Sequence, residues 1–244
     1  LYFSPAHALI TVILITLGTN YFVMTAYDGL MPHNFIFTLF VIMLWHTIKW
    51  YKEFKLKQII IIGFCIGLAT LIRPTSILVI LIPIFWDLKT MEDLQNRFLI
   101  FLTKWKQMLI LFLTALLVML PQLIYWKSTT GHWIFYSYPG ERINLFKPHL
   151  MEVLFSYKKG WLLYTPLMIV SLAGFLFLFK NYRSLFLSIF LFFCINTYVI
   201  SCWDCWWYGG SFAERPFVES YTFMAFPFAA IIAELATKKM LLKI

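Results

Sequence analysis

The sequence predicts an all-α, polytopic transmembrane helical bundle. Of its 244 residues, 61% are hydrophobic, 20% are aromatic and only 13% are charged. A soluble domain of this length does not need so much apolar surface, whereas long apolar runs with few charges are typical of membrane-spanning helices. The formal net charge of +9 fits Lys and Arg gathered in cytoplasmic loops and at anionic headgroups, so it does not indicate nucleic-acid binding.

Apolar runs of about spanning length follow one another along the chain. The longest, Gln58–Trp86, is interrupted at Arg73-Pro74. Proline removes a helical hydrogen bond and disfavours helix at the residue before it, so one kinked helix and two short helices are both open. The uninterrupted runs are Ala8–Ala26, Asn34–Ile48, Met108–Trp126, Trp161–Phe179, Ser184–Cys202 and Ser220–Ala236.

The distribution of basic residues favours two short helices around Arg73. If the chain reverses there, 13 of the 20 Lys and Arg residues fall on one face of the membrane. A single helix divides them almost evenly and leaves Arg73 in lipid. We therefore expect about eight spans in a single transmembrane domain over residues 1–244, with a cytoplasmic C-terminal end. The loops 127–160 and 201–219 are then extracytoplasmic, and the mixed-charge segment Asp87–Lys106 is expected to be an interfacial helix.

The loop 201–219 combines aromatic and charged residues between two apolar runs. Trp206, Trp207 and Tyr208 suit anchoring at the headgroup level, and they equally suit stacking on a sugar ring or a cation. Because Asp204, Glu214 and Arg215 lie close by in sequence, the loop is interpreted as a binding site.

Several charged residues and one histidine on the same face suit either an ordinary structural role or the binding of a substrate. Arg73 either snorkels to the interface or holds a phosphate with its planar guanidinium group. In the loop 127–160, Glu141 and Arg142 suit a local salt bridge, His149 an ordinary loop residue, and Lys158 a headgroup contact. The excess of basic residues in this extracytoplasmic loop runs against the general bias, and it would suit an anionic, lipid-linked substrate.

Cys202 and Cys205 form a C-x-x-C pair. A thioredoxin-like motif needs a βαβ context and a zinc site needs further Cys or His ligands, and the sequence offers neither. A structural disulfide or a chance spacing is therefore favoured over redox or zinc chemistry. No motif for soluble nucleotide chemistry is present. The sequence indicates no metal site and no cofactor, and it leaves a divalent metal open.

Three stretches together resemble bacterial GT-C glycosyltransferases: GLATLIRPTSILVILIPIFW, PHLMEVLFSYKKGWLLYTPL and CWWYGGSFAERPFVESY. They are similar to dolichyl-phosphate-mannose protein mannosyltransferases and to lipid A aminoarabinose transferases. The resemblance covers residues 1–236. It implies a GT-C-like fold in the cell membrane and transfer of a sugar, with inversion, from a polyprenyl-phosphate donor to a glycan, lipid or protein acceptor on the extracytoplasmic (periplasmic) face.

The resemblance also divides the expected roles among the residues. An acidic residue in the first extracytoplasmic loop is expected to be the general base; that loop is expected upstream of Leu1, so no catalytic residue is assigned. A non-enzymatic lipid-linked substrate transporter or flippase, an assembly subunit and an inactive fragment are the alternatives. The expected donor phosphate- and sugar-binding residues are Arg73, Glu141, Arg142, His149, Lys158, Asp204, Trp206, Trp207, Tyr208, Glu214 and Arg215.

Overall fold

The computed structural model describes the backbone of residues 2–241 and the side chains of residues 2–237, and it confirms an all-helical fold. Within those residues the only β-type pairing is an isolated bridge between Ile143 and Trp203. Two 3-10 helices, Pro74–Ile80 and Arg215–Ser220, accompany the α-helices. The α-helices are α1 Pro5–Gly18, α2 Asn20–Ala26, α3 Pro32–Glu53, α4 Leu56–Ile72, α5 Leu81–Phe85, α6 Met91–Thr103, α7 Trp105–Thr130, α8 Leu150–Phe155, α9 Trp161–Tyr164, α10 Leu167–Asn181, α11 Arg183–Ser201 and α12 Tyr221–Leu241.

Among the described residues, three helical segments are long and apolar enough to cross a membrane. They are α7, α11 and the continuous run Arg215–Thr237, which joins the second 3-10 helix to α12. A fourth is obtained if α1 and α2, which meet at an angle of 70°, form one broken span. Helices of this length and composition are expected in a membrane protein. The number of eight spans remains a prediction.

Two of the apolar runs are broken where the sequence analysis predicted single spans. The run Ala8–Ala26 bends at Thr19, whose hydroxyl donates to the Ile15 carbonyl at 2.7 Å and accepts from the Tyr21 amide at 3.1 Å. The run Trp161–Phe179 divides into α9 and α10 around Pro166. In both places a helix-capping or helix-breaking residue competes with a continuous apolar pattern.

The chain reverses direction at Arg73, as the charge distribution predicted. The Arg73 guanidinium lies beside His33 at the start of α3, whereas the Pro83 carbonyl accepts from the Tyr51 hydroxyl near the end of α3 at 2.5 Å. His33 and Tyr51 are separated by about 27 Å along a straight helix. The segment after Pro74 therefore runs back along α3, opposite to α4.

Small residues allow close contact between helices on both sides of the bundle. A Cβ atom at Gly63 would lie 2.6 Å from the Leu111 carbonyl oxygen of α7, and one at Gly67 would lie 2.7 Å from that of Ala115. A Cβ atom at Gly174 of α10 would lie 2.0 Å from the Pro227 carbonyl oxygen of α12. Backbones at such distances tolerate only glycine, which explains the glycine pair in α4.

The loops divide between the two ends of the bundle. One end, which we call the polar end, contains Arg73 and the loops 27–31, 131–160 and 202–214, with Tyr208 of the last loop beside Arg73. The Asn144 amide donates to the Cys202 carbonyl at 2.7 Å, which ties two of these loops together. At the other end, the Trp50 indole donates to the side chain of Gln107 at 2.7 Å. The polar end thus gathers the loops predicted to share one face.

Candidate functional site

A buried ion-pair group lies at the centre of the polar end. Arg73 Nη1 donates to Glu219 Oε1 at 2.9 Å, and His33 Nδ1 lies 2.6 Å from Glu219 Oε2. The side chains of His33, Glu219 and Arg73 are 4%, 7% and 19% exposed. The proline break between α4 and the 3-10 helix directs Arg73 toward the starts of α3 and α12, where charges require partners. The group joins three elements that are distant in sequence.

Tyr208 covers the guanidinium of Arg73. Its ring centroid lies 5.8 Å from the Arg73 Cζ atom, and its hydroxyl donates to the Ile200 carbonyl at 2.8 Å. Burial raises the pKa of the Tyr208 phenol, so it stays a neutral hydrogen-bond donor. The aromatic face therefore supports the cation without adding charge.

Glu214 is fully buried, and neither of its carboxyl oxygens has a hydrogen-bond partner among the described residues. Burial raises the pKa of this carboxyl to about 8, although the nearby charges of Lys159 and Arg215 act in the opposite direction. The backbone around it is well held, since Asn20 Nδ2 donates to the Glu214 carbonyl at 3.3 Å and the Tyr221 hydroxyl donates to Asn20 Oδ1 at 2.6 Å. A buried acid at this position is thus mainly neutral at pH 7.

Two cations near Glu214 have no carboxylate within ion-pair distance in the described part of the chain. Arg215 Nη1 donates weakly to Met31 Sδ at 3.6 Å, and its Nε is buried without a partner. Lys159 Nζ donates to the Gly209 carbonyl at 2.6 Å and to Ser211 Oγ at 3.1 Å. Burial lowers the pKa of Lys159. With Glu219 already paired, the centre of the polar end carries more positive than negative charge.

A second group, near the surface, contains Asp204 and Arg142. Asp204 Oδ2 accepts from the Arg142 amide at 3.1 Å, and the Asp204 amide donates to the Arg142 carbonyl at 2.9 Å. These contacts join the loops 127–160 and 201–219 through backbone groups, next to the bridge between Ile143 and Trp203. No salt bridge forms between Glu141 and Arg142 within the described residues. Asp204 therefore connects the loops rather than entering the buried group.

A third group is a cation–aromatic surface. Lys158 Nζ lies 3.4 Å from the Trp207 ring centroid and 5.7 Å from that of Trp206. The His149 ring lies 6.4 Å from the Trp206 ring, and His149 Nδ1 lies 3.9 Å from Glu152 Oε1. Such a surface suits either headgroup contact or stacking on a sugar ring.

The structure thus separates the residues predicted from the sequence. It brings Arg73, Tyr208, Glu214 and Arg215 into the buried centre, and it leaves the others in the two surface groups or, for Glu141, outside them. His33, Glu219, Lys159 and Asn20 belong to the centre, although the sequence analysis did not assign them to the site. A signal for Glu219 was present, because an acidic side chain at the start of an apolar run requires a partner such as Arg73.

The Cys202 and Cys205 thiols are free, with Cys202 buried. In the described part of the chain, no group of three or more His, Cys, Asp or Glu side chains is placed to hold a metal ion. Cys202 and Cys205 are therefore not part of such a group among the described residues.

An apolar groove opens beside the buried centre. It has a volume of about 320 Å³ and lies between the bent α1–α2 pair, α3 and α12. Val12, Ile15 and Phe37 contribute to its wall, and Tyr221 links it to the centre through its hydrogen bond to Asn20. The groove suits an alkyl or isoprenoid chain more than a polar ligand.

Comparison of the chain with protein-family models, with curated proteins and with solved structures finds no match. The function proposed below is therefore based on the side chains of the polar end.

Proposed function

We propose that this chain is an integral membrane glycosyltransferase of the GT-C type, with about eight spans. In this proposal it transfers a sugar from a polyprenyl-phosphate donor to an acceptor on the extracytoplasmic side. The observation that carries the proposal is the excess of positive charge in the buried centre, where Arg215 and Lys159 have no carboxylate within ion-pair distance among the described residues. An apolar groove is linked to this centre through Tyr221 and Asn20. An anionic headgroup on a long apolar chain matches both features.

The donor phosphate is assigned to Arg215 first, with Lys159 beside it. Arg73 is the less suitable of the two arginines, because its Nη1 is already held by Glu219. A guanidinium without an acidic partner can form charge-assisted hydrogen bonds to phosphate oxygens and stabilise the charge of the leaving group. Arg73 then acts mainly by positioning the 3-10 helix that carries Arg215 and Glu219.

The remaining parts of the substrate are assigned to the neighbouring surfaces. The polyprenyl chain is assigned to the apolar groove, and the sugar to the cation–aromatic surface of Lys158, Trp206 and Trp207. The extracytoplasmic orientation rests on the excess of Lys and Arg in the loops at the opposite end of the bundle. Labelling of a cysteine introduced at the exposed Gly140 by an impermeant reagent added outside intact cells tests this orientation.

A lipid-linked substrate flippase is the second candidate. Buried, paired ionisable side chains such as Arg73, Glu219 and His33 are typical of transport pathways as well as of catalytic sites. A flippase moves the lipid-linked sugar across the bilayer without breaking the bond between the sugar and the phosphate. The two functions are therefore separated by the product that is formed.

The test measures release of polyprenyl phosphate from a polyprenyl-phosphate hexose or pentose by the purified protein in liposomes. Arg215→Gln is expected to raise the KM for donor about 10- to 100-fold, because a charge-assisted hydrogen bond contributes about 1.5–3 kcal/mol. Arg215→Lys should recover part of this loss. Lys147→Gln is the matched control, since Lys147 is an exposed cation at the same end.

Equal donor KM values for Arg215→Gln and Lys147→Gln would contradict the phosphate assignment. Movement of the labelled donor across the bilayer without release of polyprenyl phosphate would favour the flippase.

A further inference from the structure

Glu214 is a fully buried acidic side chain without a hydrogen-bond partner among the described residues. Both of its carboxyl oxygens are buried and without a hydrogen bond to any described residue. Buried polar atoms in proteins are almost always paired, so an unpaired carboxyl needs a specific explanation. Two neighbouring acids differ from it in this respect, since Glu219 contacts Arg73 and His33, and Asp204 contacts the Arg142 backbone.

The backbone holds Glu214 in place from both sides. Its carbonyl accepts from Asn20 Nδ2 at 3.3 Å and from the Phe217 amide at 3.2 Å. The residue before it, Ala213, has φ +53, in the left-handed region that a residue with a Cβ atom seldom occupies. Such a conformation costs on the order of 1–3 kcal/mol and persists only where surrounding contacts enforce it. The carboxyl is therefore held in position by contacts that do not use its own oxygens.

The groups that face Glu214 come from three segments. Lys159 precedes α9, Arg215 begins the 3-10 helix, and Tyr208 lies in the loop after α11. Lys159 also holds the Gly209 carbonyl, in a stretch that is exposed at Gly209 and Gly210. The space beside Gly210 is open, because a Cβ atom built there would have nothing within 4 Å. An exposed stretch of backbone therefore lies against Lys159, whose charge acts on the Glu214 carboxyl.

We propose that Glu214 is the proton acceptor of the sugar-transfer reaction, with the acceptor hydroxyl entering beside Gly209 and Gly210. This inference rests on the proposed function and deepens it. The acceptor oxygen forms a bond to the anomeric carbon, and the bond from that carbon to the phosphate oxygen breaks. The electron pair of the broken bond stays on the polyprenyl phosphate, while the acceptor proton moves to the Glu214 carboxylate.

The surroundings of Glu214 suit this role. A general base is most effective when its pKa lies near the working pH, and burial brings the pKa of Glu214 to about 8. The positive charges of Lys159 and Arg215 stabilise the ionised form that must accept the proton, and Arg215 also stabilises the phosphate that leaves. The proposal thus assigns the base to Glu214, a residue that the sequence analysis assigned only to donor binding.

The test compares Glu214→Gln, Glu214→Asp and wild type in the liposome assay with donor and a hydroxyl acceptor. Glutamine has the size of the protonated carboxyl, so folding and the KM for donor are expected to stay unchanged. The kcat is expected to fall about 10²- to 10⁴-fold, the usual contribution of a general base. The kcat of Glu214→Asp should lie between that of Glu214→Gln and that of wild type. Glu92→Gln is the control, since Glu92 is an exposed acid in α6, outside the polar end.

Two further measurements separate a base from a structural residue. The kcat of wild type should rise with pH to a plateau with a midpoint near 8, and the Glu214→Gln variant should lose this dependence. Difference infrared spectra should show a protonated carboxyl that titrates in the same range and is absent in Glu214→Gln.

Each outcome decides between the two proposals. A kcat for Glu214→Gln within threefold of wild type, while wild type transfers sugar, would overturn the role of Glu214 and leave the proposed function standing. Wild type that transfers no sugar would overturn both. A loss that appears only in the KM for donor would make Glu214 a binding residue and would also overturn the proposal.

Discussion

The ion pair between Arg73 and Glu219 provides a quantitative test of the buried centre. The pair joins side chains that are 19% and 7% exposed, at 2.9 Å between Nη1 and Oε1. Removing one partner of a buried ion pair usually destabilises a protein by about 3–5 kcal/mol, because the other charge is left unpaired. We therefore expect single substitutions here to be costly and a double substitution to be less costly than their sum.

The two single substitutions should differ in size. Arg73→Gln leaves Glu219 with His33 as its remaining partner, so we expect a loss near the lower limit, about 3 kcal/mol. Glu219→Gln leaves Arg73 without its acidic partner. Because Arg73 is partly exposed and lies near the Tyr208 ring, its charge remains partly stabilised, and we expect a smaller loss of about 1–2 kcal/mol. The coupling energy of the double-mutant cycle is expected to be about 2 kcal/mol, which is within the range for contacting residues.

The assay is reversible unfolding of the purified protein in mixed micelles as the mole fraction of SDS rises. Glu53→Gln serves as the control, because its partner Lys55 is exposed and surface pairs contribute little. Additive losses from Arg73→Gln and Glu219→Gln, with a coupling energy below about 0.5 kcal/mol, would refute the pair as a stabilising contact. The measured loss of stability also shows how much of any activity loss in an Arg73 variant is due to unfolding.

Three further predictions concern packing, the cysteines and pH. Gly174→Ala should destabilise the protein by about 1–3 kcal/mol in the same unfolding assay, because its Cβ would lie 2.0 Å from a carbonyl oxygen of α12, whereas Gly210→Ala should have little effect. Replacing both Cys202 and Cys205 by Ser should leave transfer activity within tenfold of wild type, since the thiols are free; a greater loss would favour redox or metal chemistry. Because burial raises the pKa of Glu214 from 4.5 to about 8, the folded state binds more protons in this interval, so stability should fall as pH rises from 4.5 to 8 and Glu214→Gln should reduce that slope.

The helices and the break at Arg73 could be predicted because their causes are local, whereas the reversal there followed from the distribution of Lys and Arg over the whole chain. An apolar run indicates a helix wherever it lies, and a proline after Arg73 disturbs the helix at that point in any fold. The break at Thr19 was missed, although Gly18 and Thr19 form a helix end followed by a helix cap. The apolar character of the whole run concealed a local signal that the sequence did contain.

The composition of the buried centre could not be predicted, because its contacts are not local. His33 and Glu219 are 186 residues apart, and Asn20 and Glu214 are 194 residues apart. Sequence analysis left snorkelling and phosphate binding open for Arg73, and the family resemblance then favoured the phosphate. The structure provides Arg73 with an acidic partner, Glu219 in the 3-10 helix before α12, and Arg215 then becomes the better candidate for the phosphate.

The same separation has a consequence for biogenesis. Arg73 is synthesised 146 residues before Glu219, which corresponds to roughly 7–30 s at a synthesis rate of about 5–20 residues per second. In the proposed topology α3 and α4 enter the membrane during that interval while Arg73 lacks its acid, and the free energy of an unpaired cation opposes its movement into the hydrocarbon. Arg73 is then expected to keep the turn after α4 at the membrane surface until Glu219 has been synthesised. The buried centre cannot assemble on any nascent chain that ends before Glu219.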